Sequence, residues 1–387
     1  MINLHEPLLG GKEWKYVKNC LDRGWVSSVG NFVNIFEKKI AKYTGAKYAV
    51  ACVNGTSALQ VSLELAGVKK GHEVIVPSMT FIAPVNAIRY NGAEPIFMDN
   101  DDFYTIDINK TIDFINNETR KVSGATVNKR TGKKISAIVI VHVFGNAVKL
   151  NDLQTICKKR NIVLIEDAAE SVGTFYTTGR YKKKHTGTIG KIGCLSFNGN
   201  KIITSGGGGM ILTNDLKIAK RAKYLTNQAK DDPIYSIHNE IGYNFRLTNI
   251  QAALGLAQLE SISKYIKKKR LIHKRYIKKI NKIKYLSISK TPYFARSNHW
   301  LNILEIKKNL SKKNLLKAIN YLNRSGIKTR PLWYPNHLQK KYKNCQTYKL
   351  KNVNKVYQNR LCLPSSAQLT EWELNFICSK LKILFSN

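Results

Sequence analysis

Long apolar runs are missing from this sequence of 387 residues, and so is a recognisable export signal. No run approaches the roughly 20 apolar residues that a membrane-spanning helix needs, so we expect no helix that crosses a bilayer. The first residues, MINLHEPLLGGKEW, contain no basic segment followed by an apolar one, which disfavours a secretory signal peptide. We therefore expect a cytoplasmic protein.

Paired cysteines are also missing. The seven cysteines are scattered and form no C-x-x-C motif, which disfavours a zinc site or a dithiol redox centre. We expect reduced thiols, most of them buried, and no metal site.

Acidic residues are few, because 25 Asp and Glu stand against 64 Lys and Arg and the net charge is +39. A charge of this size attracts phosphates, nucleic acids and anionic lipids. The basic residues are mostly lysines spread along the chain beside abundant Asn and Ile, a composition that an AT-rich coding sequence produces without selection for binding. We favour this interpretation and keep a polyanion-binding or nucleic-acid-binding protein as the alternative.

The length of the chain favours two domains over one compact unit. Between residues 47 and 210, short runs rich in Val and Ile alternate with helix-like stretches, which predicts an α/β domain with a largely parallel sheet. The predicted strands are Tyr48–Val53, Val74–Val76, Pro95–Asp99, Ala137–Val143, Val163–Glu166 and Gly193–Phe197. The polar and basic segment 118–134 is predicted to be a surface loop.

The C-terminal third has a different pattern. The stretch 250–280, IQAALGLAQLESISKYIKKKRLIHKRYIKKI, is apolar at first and basic later, and it predicts one long helix that links the two domains. Strand-like pieces such as Leu301–Ile306 and helix-like ones such as Lys313–Asn323 follow it. We expect a small α+β domain here.

The first cluster of candidate functional residues is Asn54-Gly55-Thr56-Ser57, between a predicted strand and a predicted helix. A helix N-terminus presents unpaired N–H groups and a partial positive charge, and the hydroxyls of Thr56 and Ser57 add donors. A phosphate group fits such a position. The same residue types also cap many helices that bind nothing, so this cluster alone does not establish a site.

The second cluster is IVLIEDAAES, in which Glu166 and Asp167 end a predicted strand. Open α/β sheets bind their ligands at the carboxyl ends of strands. Asp167 either caps a helix or pairs with a cation. A protonated pyridine nitrogen is such a cation, and keeping it protonated makes the ring of pyridoxal phosphate (PLP) an electron sink.

The third cluster is GKIGCLSFNGNKIITSGGGGMILTN, in which Lys201 follows a predicted strand and precedes four glycines. Glycine lets the backbone approach a ligand closely. A nucleophilic lysine must lose its charge, and burial or a neighbouring cation lowers its pKa from about 10.4. The alternative is that residues 206–209 only turn the chain into the next strand.

These clusters, in this order, resemble the DegT/StrS family of sugar aminotransferases. The resemblance covers most of the chain and includes VPSMTFIAPVNAI, GYNFRLTNIQAALGLAQLE, RPLWYPNHLQ and LPSS. It implies an α/β fold of the fold-type I, aspartate aminotransferase-like class. The implied parts are an N-terminal arm (1–30), a large, mostly parallel-sheet PLP-binding domain (31–250), and a linker helix with a small C-terminal α+β domain (251–387).

The resemblance also implies catalytic and ring-binding roles. Lys201 forms the Schiff base with PLP, Asp167 pairs with the pyridinium nitrogen, and Phe81 stacks on the ring. Glu170 lies near the phenolic oxygen of the cofactor, where many relatives carry Gln or His. Gly207 stands where many relatives carry Glu.

The phosphate of PLP is held, by the same resemblance, by Gly55, Thr56, Ser57 and Ser196. Asn244 reaches this phosphate from a second subunit. A homodimer with shared active sites is therefore expected.

The strings GWVSSVG, EDAAES and SFNGNKIITSGGGG most resemble the branch that aminates UDP-linked 4-keto-6-deoxy-N-acetylhexosamines for legionaminic-acid or bacillosamine-type sugars. The expected reaction transfers an amino group from L-glutamate to carbon 4 of this nucleotide sugar, with PLP cycling through pyridoxamine phosphate. A lysine at position 201 disfavours the deoxygenating relatives, which carry histidine there.

The sequence identifies residues that contact the substrate less specifically than residues that contact the cofactor. Tyr334 and His337 are candidate sugar contacts, and Arg246 and Arg330 are candidate diphosphate contacts. A GDP-perosamine synthase-like enzyme, a sugar 3-aminotransferase and a regulatory PLP-binding protein remain alternatives.

Overall fold

The computed structural model describes residues 1–308 and 310–385. Position 309 and the last two positions of the segment expected to form the small domain lie outside the described residues. Within the described ranges, no helix is both long and apolar enough to span a membrane. The seven cysteines are free thiols, and six of them are buried.

The helices and strands have the following bounds in chain order. The α-helices are α1 (Glu13–Asp22), α2 (Asn31–Thr44), α3 (Gly55–Leu65), α4 (Ala83–Tyr90), α5 (Ile108–Asn117), α6 (Asn151–Lys159), α7 (Leu216–Thr226), α8 (Asn249–Glu260), α9 (Ile262–Ile280), α10 (Lys312–Arg324), α11 (Asn352–Val356) and α12 (Glu371–Phe385). The strands are β1 (Tyr48–Cys52), β2 (Glu73–Pro77), β3 (Glu94–Met98), β4 (Thr119–Val122), β5 (Ala125–Asn128), β6 (Ile135–Val141), β7 (Val163–Asp167), β8 (Phe175–Tyr176), β9 (Ile192–Ser196), β10 (Gly209–Thr213), β11 (Leu286–Ile288), β12 (Ala295–Arg296), β13 (Asn302–Ile306), β14 (Arg330–Pro331), β15 (Thr347–Tyr348) and β16 (Arg360–Leu363).

Eight strands form the large sheet, in the order β1-β10-β9-β7-β6-β2-β3-β15. The strands from β9 to β15 are parallel to their neighbours, and β10 is antiparallel to both β1 and β9. The expected largely parallel sheet is confirmed. Because β1, β7 and β9 run in the same direction, their carboxyl ends lie at one edge of the sheet.

Both faces of the large sheet are covered, which explains why its strands are apolar at nearly every position. Side chains alternate between the two faces along a strand. Val74, Val76 and Val139 pack in the core on one face, and Ile75 and Ile138 pack in the core on the other.

The small sheet is antiparallel, in the order β11-β13-β16-β14. Leu304 and Leu361 lie in a core that also contains buried residues of α10, α12 and the second half of α9. Ile303 and Cys362, which alternate with them, lie in a core shared with Phe197 of the large-sheet side. One face of the small sheet therefore carries helices and the other faces the large sheet.

The expected division of the chain at residue 250 stays a prediction. Two contacts cross it. β15 pairs with β3 at the edge of the large sheet. In the other direction, Ile2 of the expected N-terminal arm bridges to Ile327 and packs in the core of the small sheet.

Two expectations about local structure are wrong. The segment 118–134 contains an antiparallel hairpin, β4 and β5, rather than only a loop. Ser123 and Gly124 make its turn with φ angles of 47° and 79°, as tight hairpin turns require. The stretch 250–280 forms two helices rather than one, because Ser261 (φ −99°, ψ 0°) ends α8 before α9 begins.

Candidate active site

A cavity of about 270 Å³ lies at the carboxyl edge of the large sheet. Its wall includes Thr80, Trp300 and Trp333. The predicted site residues in the wall are Gly55, Thr56, Phe81, Asp167, Glu170, Ser196 and Lys201. These residues are distant in sequence, and they meet because β1, β7 and β9 end at the same edge.

Ser57 and Asn244, two predicted phosphate contacts, lie outside this wall. Ser57 is buried in the first turn of α3, directly after Thr56. Asn244 is exposed in the loop before α8 and forms a backbone bridge with Asn227. The role predicted for Asn244 belongs to the site of a second subunit and stays a prediction.

The two predicted sugar contacts also lie outside the wall, although they follow Trp333 in the chain. Tyr334 is 40% exposed, and its ring contacts the edge of Tyr357. His337 Nδ1 is 2.6 Å from the hydroxyl oxygen of Ser78. Burial lowers the pKa of His337, which favours a neutral imidazole held by this contact.

The first turn of α3 forms one end of the cavity. Asn54 caps the helix, and its Oδ1 accepts a hydrogen bond from the Ser57 N–H at 2.8 Å. Gly55 and Thr56 occupy the first two helical positions, where N–H groups have no acceptor within the helix. A Cβ atom on Gly55 would lie 3.0 Å from the Cβ atom of Ser196, so glycine is needed for this close approach. The N–H groups and nearby hydroxyls suit a phosphate.

Asp167 ends β7, lines the cavity and is 4% exposed. Its Oδ1 accepts a hydrogen bond from the Ala169 N–H at 3.0 Å. Burial raises the pKa of Asp167 to about 7, and the neighbouring Lys201 opposes this rise. A buried carboxylate of this kind is stabilised by a cation, and a protonated pyridine nitrogen supplies one.

Lys201 lies in the loop between β9 and β10. Its Nζ is 4.2 Å from the centre of the Trp300 ring and 3.9 Å from Glu170 Oε1. Trp300 also donates from Nε1 to the carbonyl oxygen of Asn200 at 2.7 Å, which fixes the loop beside the lysine. Burial lowers the pKa of Lys201, and Arg330 adds to this effect, whereas Glu170 and Asp167 oppose it.

Glu170 is the acidic neighbour of the Lys201 amine. Its Oε2 accepts a hydrogen bond from the Phe144 N–H at 2.7 Å. Phe144 has a φ of 58°, a left-handed conformation that is uncommon for a bulky residue. Burial raises the pKa of Glu170, and Lys201 opposes the rise.

Aromatic side chains form the outer wall. Phe81 is 50% exposed, and its ring centre lies 5.3 Å from that of Trp333. Trp333 stacks on Trp300, and the Arg330 guanidinium lies 3.8 Å from the centre of the Trp333 ring in a cation–π contact. Sequence reasoning missed Trp300 and Trp333. Trp333 lies inside the string RPLWYPNHLQ, which resembles the family. The chain has five tryptophans, so a tryptophan within this string was the signal available to mark a candidate site residue.

Three polar atoms near this wall are buried and have no hydrogen-bond partner within residues 1–308 and 310–385. They are Thr80 Oγ1, Trp333 Nε1 and Arg330 Nε. An unpaired buried polar atom costs about 1–3 kcal/mol, so a ligand that pairs with such atoms gains binding energy.

Glu166 precedes Asp167 and has a different function in the structure. Its carboxylate is fully buried and accepts hydrogen bonds from His142 Nε2 at 2.9 Å and from the N–H groups of Gly187, Ile189 and Gly190. Burial alone would raise the pKa of Glu166, but these hydrogen bonds lower it. The network holds the end of β7 and thereby the position of Asp167.

The residues of the cavity fit PLP. A helix N-terminus is available for its phosphate, a buried carboxylate for its ring nitrogen and a buried amine for its aldehyde. Phe81 lies at the mouth, where a ring can stack on it. The role of each residue stays a prediction.

Comparison with known proteins gives consistent results. A model of the DegT/DnrJ/EryC1/StrS aminotransferase family matches residues 7–382. A GDP-perosamine synthase of Escherichia coli O157:H7 is 36% identical over 386 residues, covering 100% of this chain and 99% of that protein. A GDP-perosamine synthase of Caulobacter vibrioides is 35% identical over 386 residues, covering 98% of this chain and 97% of that protein. The crystal structure of a DegT/DnrJ/EryC1/StrS aminotransferase from Brucella abortus has a TM-score of 0.86 at 27% identity, covering 97% of this chain and 96% of that one.

These matches confirm the expected fold class, the enzyme class and the cofactor. The enzymes of the matched family are PLP-dependent sugar aminotransferases. The chain belongs to the DegT/DnrJ/EryC1/StrS aminotransferase family.

Proposed function

We propose that the protein transfers an amino group from L-glutamate to carbon 4 of a nucleotide-linked 4-keto-6-deoxy sugar. The observation that carries this proposal is the cavity in which Lys201, Asp167 and the first turn of α3 meet. The family supplies the general reaction, and the curated relatives named GDP-perosamine synthase support amination of a nucleotide sugar.

The unpaired polar atoms of the wall support a sugar substrate. Thr80 Oγ1 and Trp333 Nε1 can hydrogen-bond with the hydroxyl and keto oxygens of a hexose. The Arg330 guanidinium lies over Trp333 and can bind the diphosphate of the nucleotide or the carboxylate of glutamate. Arg246 contacts Asn227 at 3.5 Å, which leaves it a weaker candidate for this contact.

When bound, PLP supplies an electron sink and carries the amino group between the two substrates. The residues of the chain bind this group, orient it and move protons. Burial lowers the pKa of Lys201 and favours its neutral amine, which can accept a proton. The Oε1 atom of Glu170, 3.9 Å from the Lys201 Nζ, holds this amine in the cavity. Glutamate and the sugar use the same cavity in turn, which is ping-pong kinetics.

The identity of the nucleotide is the finer part of the proposal. Three short strings favour a UDP-linked 4-keto-6-deoxy-N-acetylhexosamine. Relatives named GDP-perosamine synthase, 33–36% identical over nearly the whole chain, favour a GDP-linked sugar. We give precedence to the GDP-linked sugar because its support extends over the whole length.

A competition experiment separates the two substrates. The enzyme is loaded with glutamate, freed of it, and then offered equal amounts of the GDP-linked 4-keto-6-deoxymannose and the UDP-linked 4-keto-6-deoxy-N-acetylglucosamine. We expect the GDP-linked sugar to be consumed first. NMR of the product locates the new amine, and an amine on carbon 3 would replace the proposed reaction with that of a 3-aminotransferase.

The proposed shared active site has its own test. Lys201→Ala and Asn244→Ala homodimers are each expected to be inactive or weak. Mixing them after partial unfolding and refolding forms hybrid dimers in which one of two sites has both native residues, so about a quarter of the wild-type activity is expected to return. If Asn244 acts within its own subunit, mixing restores no activity.

A further inference from the structure

The positive charge of the chain is not evenly distributed, contrary to the expectation from its lysine-rich composition. Residues 262–387 carry 30 of the 64 Lys and Arg residues but only three of the 25 acidic ones. The first 261 residues carry 34 basic residues against 22 acidic ones. A uniform bias toward lysine codons does not explain such a difference in acidic residues within one chain.

Fifteen of these 30 basic residues lie on α9, α10 and α12. α10, α12 and the second half of α9 pack on the face formed by residues such as Leu304 and Leu361, whereas the first half of α9 packs in the core of the other face. The opposite face, with Ile303 and Cys362, belongs to the core beneath the cavity. None of the lysines of these helices lines the cavity.

We define the outer helix surface as the exposed side chains of α9, α10 and α12. Its exposed lysines are Lys264, Lys267, Lys274 and Lys278 of α9, Lys312, Lys313 and Lys317 of α10, and Lys382 of α12. α9 and α10 contain no acidic residue. In α12, Glu371 already pairs with Arg275 and Lys279, each at 3.0 Å.

Apolar side chains are also exposed on α10 and α12. Trp372 is 68% exposed and stacks on Phe376 with ring centres 5.4 Å apart. Leu316 and Ile383 are 57% and 58% exposed. Lysine together with exposed Trp, Leu and Ile is the composition of surfaces that lie at the interface of an anionic bilayer.

We propose that the outer helix surface docks the enzyme reversibly on a membrane surface that contains anionic lipids. The lysines attract the headgroups, and Trp372, Leu316 and Ile383 contact the interfacial region. The helices stay folded on the small sheet, because their inner faces form its core. A nucleic acid is the less favoured partner, since the exposed cations here are lysines except for Arg324, lysines bind as point charges, and the exposed apolar groups have no role on a phosphate backbone.

The test uses the full-length protein with PLP and vesicles of phosphatidylcholine with or without phosphatidylglycerol. We expect cosedimentation only with the anionic vesicles, and its loss at high salt. The triple variant Lys267→Glu, Lys274→Glu, Lys278→Glu is expected to bind at least about a hundredfold more weakly, because each lysine contributes about a factor of five. Its activity on a soluble substrate is expected to equal that of the wild type.

A matched control carries the same change of charge elsewhere. Lys121→Glu, Lys133→Glu and Lys158→Glu alter three exposed lysines near the large sheet, and this variant is expected to keep its vesicle binding. Equal loss in both triple variants, or no binding to anionic vesicles, would overturn the proposal. Tighter binding to a DNA or RNA fragment than to anionic vesicles would overturn it in favour of a nucleic acid.

Discussion

Replacement of Asp167 by Asn gives a quantitative test of the role proposed for this carboxylate in binding the cofactor ring. Burial raises the pKa of Asp167 from 3.8 to about 7. Between these two values the folded protein binds a proton that the unfolded chain has released, so the free energy of unfolding falls as pH rises from about 4 to about 7. The destabilisation is complete above pH 7 and absent below pH 4.

The magnitude follows from the shift. Between pH 5 and the folded-state pKa of about 7, the free energy of unfolding of the wild type falls by about 1.4 kcal/mol for each pH unit, which is about 3 kcal/mol in total. Without PLP, Asp167→Asn is therefore expected to gain about 3 kcal/mol of stability relative to the wild type when pH is raised from 5 to 8. Urea unfolding at fixed protein concentration measures this difference.

With PLP the ranking is expected to reverse. The carboxylate gains a cationic partner in the wild type, whereas the amide of the variant does not, so PLP stabilises the wild type more. Asp101→Asn is the matched control, because burial also raises the pKa of Asp101 to about 7 and this residue does not line the cavity. A stability difference between Asp167→Asn and wild type that is independent of both pH and PLP would refute the reasoning.

Three further variants test other parts of the account. Lys201→Ala is expected to lower kcat at least about a thousandfold, since in the proposed mechanism one residue provides both the bond to PLP and the proton transfer; rates near wild type would remove it from the mechanism. Asn54→Ala is expected to cost about 1 kcal/mol of stability and to weaken PLP binding, whereas Asp107→Ala, which removes the cap of α5, costs stability alone. Glu166→Ala is expected to cost about 3 kcal/mol or more in urea unfolding because it leaves four donors unpaired, and Glu166→Gln is expected to cost less.

The sequence predicted those parts of the site that depend on local patterns. Short apolar strands followed by polar residues identified the ends of β1, β7 and β9, which is where Gly55, Asp167 and Ser196 lie. Parallel pairing brings such ends to one edge of a sheet, so their convergence followed from the predicted architecture. Lys201 was distinguished from the many other lysines by its glycines and by the family resemblance.

The remaining features depend on contacts that no local pattern encodes. Trp300 and Trp333 reach the cavity from a segment about a hundred residues beyond Lys201, and only the packing of the small sheet against the large one brings them there. The hydrogen bond between Glu166 and His142 likewise depends on the register between β7 and β6. The uneven charge was visible in the sequence, but its location on one outer surface required the arrangement of α9, α10 and α12.

The central claim is that Lys201 and PLP exchange an amino group between glutamate and a nucleotide-linked keto-sugar in this cavity. The most direct measurement is the absorbance spectrum of the PLP-loaded enzyme, first alone, then with glutamate, and then with the GDP-linked keto-sugar after the glutamate is removed. The account predicts a visible band that glutamate bleaches and the keto-sugar restores, and that is absent in Lys201→Ala. A wild-type enzyme without this band, or a band that glutamate leaves unchanged, would contradict the account.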